Sequence, residues 1–205
     1  FEGIIPKQTT DTALTVDNAT VRYWLYAAGD GSVNWEKDYA DGIMAIGWHD
    51  LGDLMTYSSK EEMRSKMKEL YGDNGSYKNQ VLATWQFANE LKPGDIIFVK
   101  KGRRQVLGRG VVEGEYLYAP ERGHYCNIRT VRWTDKGEWE HPEQSVMKTL
   151  TDITPYTDYV KKLHSIIDGD KQENEVLDVE EEEVTFDPYT ADNFLHDVYI
   201  DEERY

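Results

Sequence analysis

Trp48, Tyr116, Tyr118 and Tyr125 stand near a basic run, Lys100-Lys101-Gly102-Arg103-Arg104, and this pairing is the part of the chain with a chemistry to offer. Every nucleobase has a π face, and each aromatic ring stacked on one contributes about 1–3 kcal/mol. Lysine and arginine beside such rings would supply phosphate contacts that position a nucleic acid without reading it. Trp48 closes an apolar run, where a strand leaves its sheet, and the three tyrosines punctuate a loop downstream of the basic run. Trp24, Trp85 and Trp133 lie inside regular stretches and are expected in the core, because large aromatics dominate small cores. Trp35 and Trp139 fall at element edges.

Other chemistries lack their residues. The sequence has no Gly-x-x-x-x-Gly-Lys-Ser/Thr phosphate loop, no Gly-x-Ser-x-Gly elbow and no pair of cysteines. Its five histidines (His49, His124, His141, His164, His196) show no i,i+4 pair, so no histidine zinc site is expected. Gly108-Arg109-Gly110 lies within a strand-like run and opens no helix, which removes a dinucleotide fingerprint. Carboxylate pairs such as Asp50 with Asp53 carry little information in so acidic a chain, and no convincing set of metal-binding acids for a nuclease stands out. The expectation is a binding module with no catalytic residues, no cofactor and no metal.

The elements that must position these side chains follow from periodicity. Val21–Ala28 is β-branched and aromatic and ends at Gly29-Asp30-Gly31-Ser32, which predicts a first strand running into a loop. A short helical turn is expected over Asn34–Tyr39, then a buried strand over Gly42–Trp48. Ser59 with Glu62 has capping-box spacing and predicts a helix that ends at Gly72. A second helix is expected from Lys78 to Leu91, stopped by Pro93-Gly94-Asp95. Strands are then predicted at Ile96–Val99, Gln105–Val112 and Asn127–Trp133, with the basic run as a hairpin tip, Glu115–Gly123 as a longer aromatic loop, and a last helix over Thr154–Leu163. Together these predict an α+β domain whose mixed sheet curls into a small barrel flanked by helices.

The formal charge of −16 is lopsided. From Asp168 to Tyr205 there are 15 acidic and two basic residues, whereas residues 1–167 carry a net charge of only −3. The expected organisation is a lead-in segment at 1–20, a base-binding domain at 21–167, a solvated acidic linker at 168–186 and the start of a further helix at 187–205. No apolar run approaches the roughly 20 residues of a membrane span. With a single cysteine, Cys126, and no secretory signal at the start of the sequence, a reducing cytoplasmic setting is expected.

Four segments in order, Tyr23–Tyr26, Gly42–Trp48, Lys92–Gly102 and Val106–Val112, resemble the EVE-like branch of the PUA superfamily, which also holds the YTH domains. The form most similar is the one ahead of the AAA+ motor in McrB-type proteins of modification-dependent restriction systems. The resemblance spans residues 20–167 and implies a curled barrel that takes a flipped modified base into an aromatic pocket. By position it implies Trp48 as one wall, Tyr116 or Tyr118 as the other where YTH domains usually have tryptophan, and Ala27, Ala28 and Ser32 bordering the base edge; Trp35, at an element edge, is counted with them as a base-binding candidate. Lys100, Lys101, Arg103 and Arg104 are the expected phosphate contacts. The implied ligand is DNA carrying a modified base, with modified cytosine favoured over N6-methyladenine because of the tyrosine. The implied partners are a motor reached through residues 187–205 and a nuclease. An RNA-binding module and a protein-interaction domain without nucleic acid are the alternatives.

Overall fold

The computed structural model describes residues 20–169. The expected lead-in, acidic linker and onward helix lie, but for their edges, outside the described residues. The sheet runs through β1 (Tyr23–Tyr26), β2 (Ile43–Ile46), β3 (Ile96–Lys101), β4 (Gln105–Val112), β5 (Leu117–Tyr118), β6 (Asn127–Glu140) and β7 (Leu150–Asp152). The helices are α1 (Trp35–Asp41), α2 (Lys60–Tyr71), α3 (Lys78–Trp85) and α4 (Thr157–Asp168). None of the described helices is long and apolar enough to cross a membrane.

The strands are ordered β2-β6-β4-β3-β1-β7, with β5 added on β6, and only the β1–β3 pair is parallel. The result is the α+β architecture anticipated, a mixed sheet curled into a half-barrel with helices around it. The curl brings the ends of β1 and β2 together. There the Tyr26 hydroxyl donates to the Ala45 carbonyl at 2.6 Å and accepts from the Ala45 N–H at 3.1 Å, so one phenol replaces a rung of strand pairing. The buried Asp38 carboxyl lies 3.2 Å from the same hydroxyl, and loss of solvent pushes it up to about 6.

Side chains alternate across the sheet as strand geometry dictates. Trp24, Tyr26, Ile97, Val99 and Leu107 join Met63, Met67, Val81 and Phe87 in the core under α1–α3. Leu25, Phe98 and Val106 point the other way, onto Tyr159, Val160, Leu163 and Ile167 of α4. Gly108 in β4 has a packing reason: a Cβ there would lie 2.6 Å from the Trp35 ring and 2.8 Å from the Asp135 carbonyl oxygen. Asp95, in the Pro93-Gly94-Asp95 stop, is buried and accepts from Trp24 Nε1, Arg22 N and Lys92 N, which makes it a structural anchor.

Ser59 caps α2 by accepting from the Glu62 N–H at 3.1 Å, as its spacing predicts. Other boundaries moved. The helix expected to run to Leu91 turns π-helical over Gln86–Glu90, where the buried guanidinium of Arg129 donates to the Phe87 and Ala88 carbonyls. β6 continues to Glu140, and β5 and β7 form where no strand was predicted. Both of these are two or three residues long, too short to show a period.

Candidate nucleobase cleft

A cleft of about 440 Å³ opens where β1, β2 and β3 end, within the range typical of small-molecule sites. Its lining includes Ala27, Ser32, Ala45, Trp48, Lys100 and Tyr125, with the 147–149 segment on the far side. Trp48, Ala27 and Ser32 are therefore brought together as expected from the sequence.

The two rings get there by register. β2 and β6 pair through Ile46 opposite Asn127, and Trp48 and Tyr125 each lie two residues beyond that last pair. Neither residue continues the strand: Trp48 takes φ 62° and Tyr125 φ 54°, both left-handed. Ser32, at φ 58°, is a third residue of the cleft in this state. Only four non-glycine residues among those described have positive φ, and three of them line this cleft. Such a conformation costs on the order of 1 kcal/mol each and persists only where the surroundings enforce it. Clustering of this kind marks a built site, because ordinary turns place glycine or asparagine at such positions.

The Tyr125 ring lies along the strand ends. A Cβ on Gly47 would stand 3.7 Å from its Cε1, and a Cβ on Gly29 would stand 3.1 Å from its hydroxyl oxygen. Both rings remain partly exposed. On the other side Met147 is 58% exposed, an apolar side chain at the mouth. Ser32 Oγ donates to the Lys100 carbonyl at 2.5 Å, tying the loop after β1 to β3.

Lys100 departs from its expected role. It was placed at an exposed hairpin tip, but β3 runs through Lys101 with a bulge between Val99 and Lys100, and the Lys100 side chain is buried, its Nζ donating to the Val146 carbonyl at 2.6 Å. Burial, reinforced by the charge of Arg103, brings its ammonium down to about 8. Lys100 thus borders the cleft from within the protein. Lys101, Arg103 and Arg104 are exposed and not among the residues that line the cleft; Lys101 instead lines a second cavity with Trp35 and Lys136.

The structure brings neither Tyr116 nor Tyr118 to the cleft. Tyr116 does not line the cleft: its hydroxyl accepts from the Leu54 N–H at 2.8 Å and lies within hydrogen-bond reach of Asn127 and Asp53, so it fastens the Asp53–Leu54 turn to β6. Tyr118 is on β5, outside the cleft lining. Trp35 is also no part of it: only 3% exposed, it packs edge-on against Trp133 at 4.8 Å and Tyr39 at 5.4 Å. Ala28 is fully buried beneath the turn, where its carbonyl accepts from the Asn34 N–H. Tyr125, named with Tyr116 and Tyr118 in the aromatic loop but not placed in the base site, is the tyrosine of the three that lines the cleft.

His49 and His124 meet edge to face with ring centroids 4.2 Å apart, and among the described residues no group of three or more histidines, cysteines or carboxylates converges to hold a metal ion.

Comparison with known families and structures adds the following. The family described as Domain of unknown function (DUF8426) matches residues 24–157, and the chain belongs to it. No curated protein matches the chain. Among solved structures, protein Atu2648 from Agrobacterium tumefaciens is similar at 15% identity and a TM-score of 0.34, over 70% of this chain and 93% of that one.

Proposed function

We propose that this DUF8426 domain is a nucleic-acid reader that takes one extruded, modified base of DNA, a modified cytosine, into the cleft between Trp48 and Tyr125. The observation that carries this reading is the concentration of left-handed residues there, two of them aromatic and each two residues past the end of the β2–β6 pairing. A chain that accepts backbone strain to hold two rings partly in solvent is holding them for a planar ligand. On this reading the exposed cations Lys101, Arg103 and Arg104, next to Gly102 of the cleft lining, serve a phosphate backbone flanking that ligand.

The energetics are adequate. Extruding a base costs a few kcal/mol, and stacking on two rings at about 1–3 kcal/mol each offsets it. One added methyl contributes only about 0.8 kcal/mol by burial, so preference for a modified base comes mainly from fit and hydrogen bonding at the base edge. The reading takes up the EVE-like resemblance, with Tyr125 as the second wall. On that resemblance the module serves a McrB-type restriction protein, whose AAA+ motor and partner nuclease act after it has engaged the mark.

Binding measured by fluorescence polarisation on duplexes carrying 5-methylcytosine, 5-hydroxymethylcytosine, N6-methyladenine or no modification, and on single-stranded RNA, tests this. The modified-cytosine duplexes should bind tightest, and Trp48→Ala or Tyr125→Ala should each weaken them about tenfold or more. Equal affinity for every duplex, preference for RNA, or unchanged binding in both variants would each refute it.

A further inference from the structure

We propose that Met147 is a wedge that enters the DNA stack where the extruded base leaves it, so that the cleft draws its base from duplex DNA. This rests on the nucleobase reading of the cleft and adds to it the side chain that fills the gap and the form of DNA it serves.

Among the described residues the most exposed large apolar side chains are Val33 at 75% and Met147 at 58%, and both stand at the cleft: Val33 follows Ser32 of its lining, and Met147 belongs to that lining. A lone apolar side chain in solvent is ordinary. Met147 differs in how its backbone is held. Ser145 and Val146 before it and Leu150 after it are buried, the last on β7 opposite Tyr26. The Ser145 N–H donates to the Arg103 carbonyl at 3.0 Å, and its Oγ donates to the Gly102 carbonyl at 2.9 Å. The Val146 carbonyl accepts from the buried Nζ of Lys100 at 2.6 Å, and the Thr149 carbonyl accepts from the Ala27 N–H at 2.9 Å. A buried cation is thus committed to the peptide immediately ahead of Met147. The fold fixes this backbone on both sides and leaves the thioether in solvent.

A base swung into the cleft stays tied to its strand by sugar and phosphates, so the gap it leaves lies just outside the mouth. That gap bares the faces of the neighbouring bases, and the lost stacking is the cost of extrusion. Apolar side chains, methionine among them, are what proteins insert between base steps. Methionine suits the task because it is unbranched and polarizable and has three rotatable bonds, so it slides between flat faces and adapts to whichever bases flank it. Val33 is short and branched at Cβ, which leaves Met147 the longer reach.

Fluorescence polarisation of the whole chain, on a duplex carrying 5-methylcytosine and on the same marked strand alone, tests the wedge. Met147→Ala should weaken duplex binding about tenfold and leave the single strand within about twofold, because only the duplex has a gap to fill. Met147→Leu, which restores a long apolar side chain, should recover most of the duplex affinity. Leu117→Ala, at a residue that is similarly exposed at 56% but outside the cleft lining, should leave both substrates unchanged. Circular dichroism establishes that each variant is folded. Equal loss on both substrates in Met147→Ala makes this side chain a contact to the base itself and overturns the wedge. So do unchanged duplex binding, a leucine variant as weak as the alanine, or an equal loss in Leu117→Ala. Trp48→Ala is the reference: a loss on both substrates keeps the nucleobase reading whatever Met147 does, whereas no loss on either removes that reading and the wedge with it.

Discussion

Two pairs of aromatic residues are treated in different ways. Trp24 and Trp35 lie on regular backbone and are buried, with glycine left at position 108 so that the Trp35 ring can rest on the strand. Trp48 and Tyr125 are as apolar in type but are turned out of the ladder by left-handed backbone and left partly open to solvent. The comparison teaches that residue type does not decide whether a ring serves the core or a ligand. Backbone bears on it here: Trp24 and Trp35, on regular strand and helix, are buried, whereas Trp48 and Tyr125, on left-handed backbone, stay partly open beside the cleft.

The largest effect is expected where the packed group is disturbed. Gly108→Ala places a methyl 2.6 Å from a buried indole and 2.8 Å from a backbone oxygen, and neither can move far. Urea denaturation should show a loss of about 2–4 kcal/mol, since the ring, its edge-on partner Trp133 and β6 must all shift. A loss below about 1 kcal/mol would mean that the sheet yields easily here and that the contrast between packed and open rings is overdrawn.

That contrast explains what was legible in the sequence. Trp48 could be picked because it ends an apolar run, and the α2 cap, the hairpin and the curled α+β sheet follow from local signals of period and punctuation. Tyr125 could not be chosen over Tyr116 and Tyr118 by such means. All three share one loop, and only the pairing of β2 with β6, which sets Asn127 beside Ile46 across some 80 residues, brings one of them to the cleft that Trp48 lines. Lys100 escaped for a related reason: a lysine beside a glycine turn reads as exposed, and the bulge after Val99 that accompanies its burial leaves no mark in composition. Trp35 was misplaced because a seven-residue helix shows its buried face only once Gly108 and Trp133 are set beside it.

An intermediate effect should follow from Lys100, which belongs to both regions. Its folded-state ammonium titrates at about 8, mainly because it is buried, whereas in the unfolded chain it keeps the ordinary value of 10.5. Between those values the unfolded state binds more protons, so this group makes stability rise with pH, and its contribution is lost again as pH falls through about 8. Phenols held above their usual range, such as Tyr26, act oppositely from about pH 10 upward, so the clean window is pH 8 to about 9.5. The urea midpoint of the native chain should climb across that window relative to Lys100→Met. Parallel curves would place the Lys100 amine in solvent and remove it from the cleft border.

The smallest effect is the most direct test of the comparison, because it separates a ring from the backbone beneath it. Trp48→Ala and Trp48→Gly remove the same indole, so base binding should fall equally in both. Their stabilities should differ: alanine must hold the left-handed φ of 62° against its Cβ, and glycine holds it without that cost. Trp48→Gly is expected to be more stable than Trp48→Ala by about 1 kcal/mol, reduced by the extra entropy glycine carries in the unfolded chain. The same pair at Trp24, on regular strand, should reverse in sign, with glycine the weaker by roughly 0.5–1 kcal/mol. If the two pairs agree in sign, position 48 carries no enforced conformation and the cleft loses its claim to be a site for which the fold accepts strain.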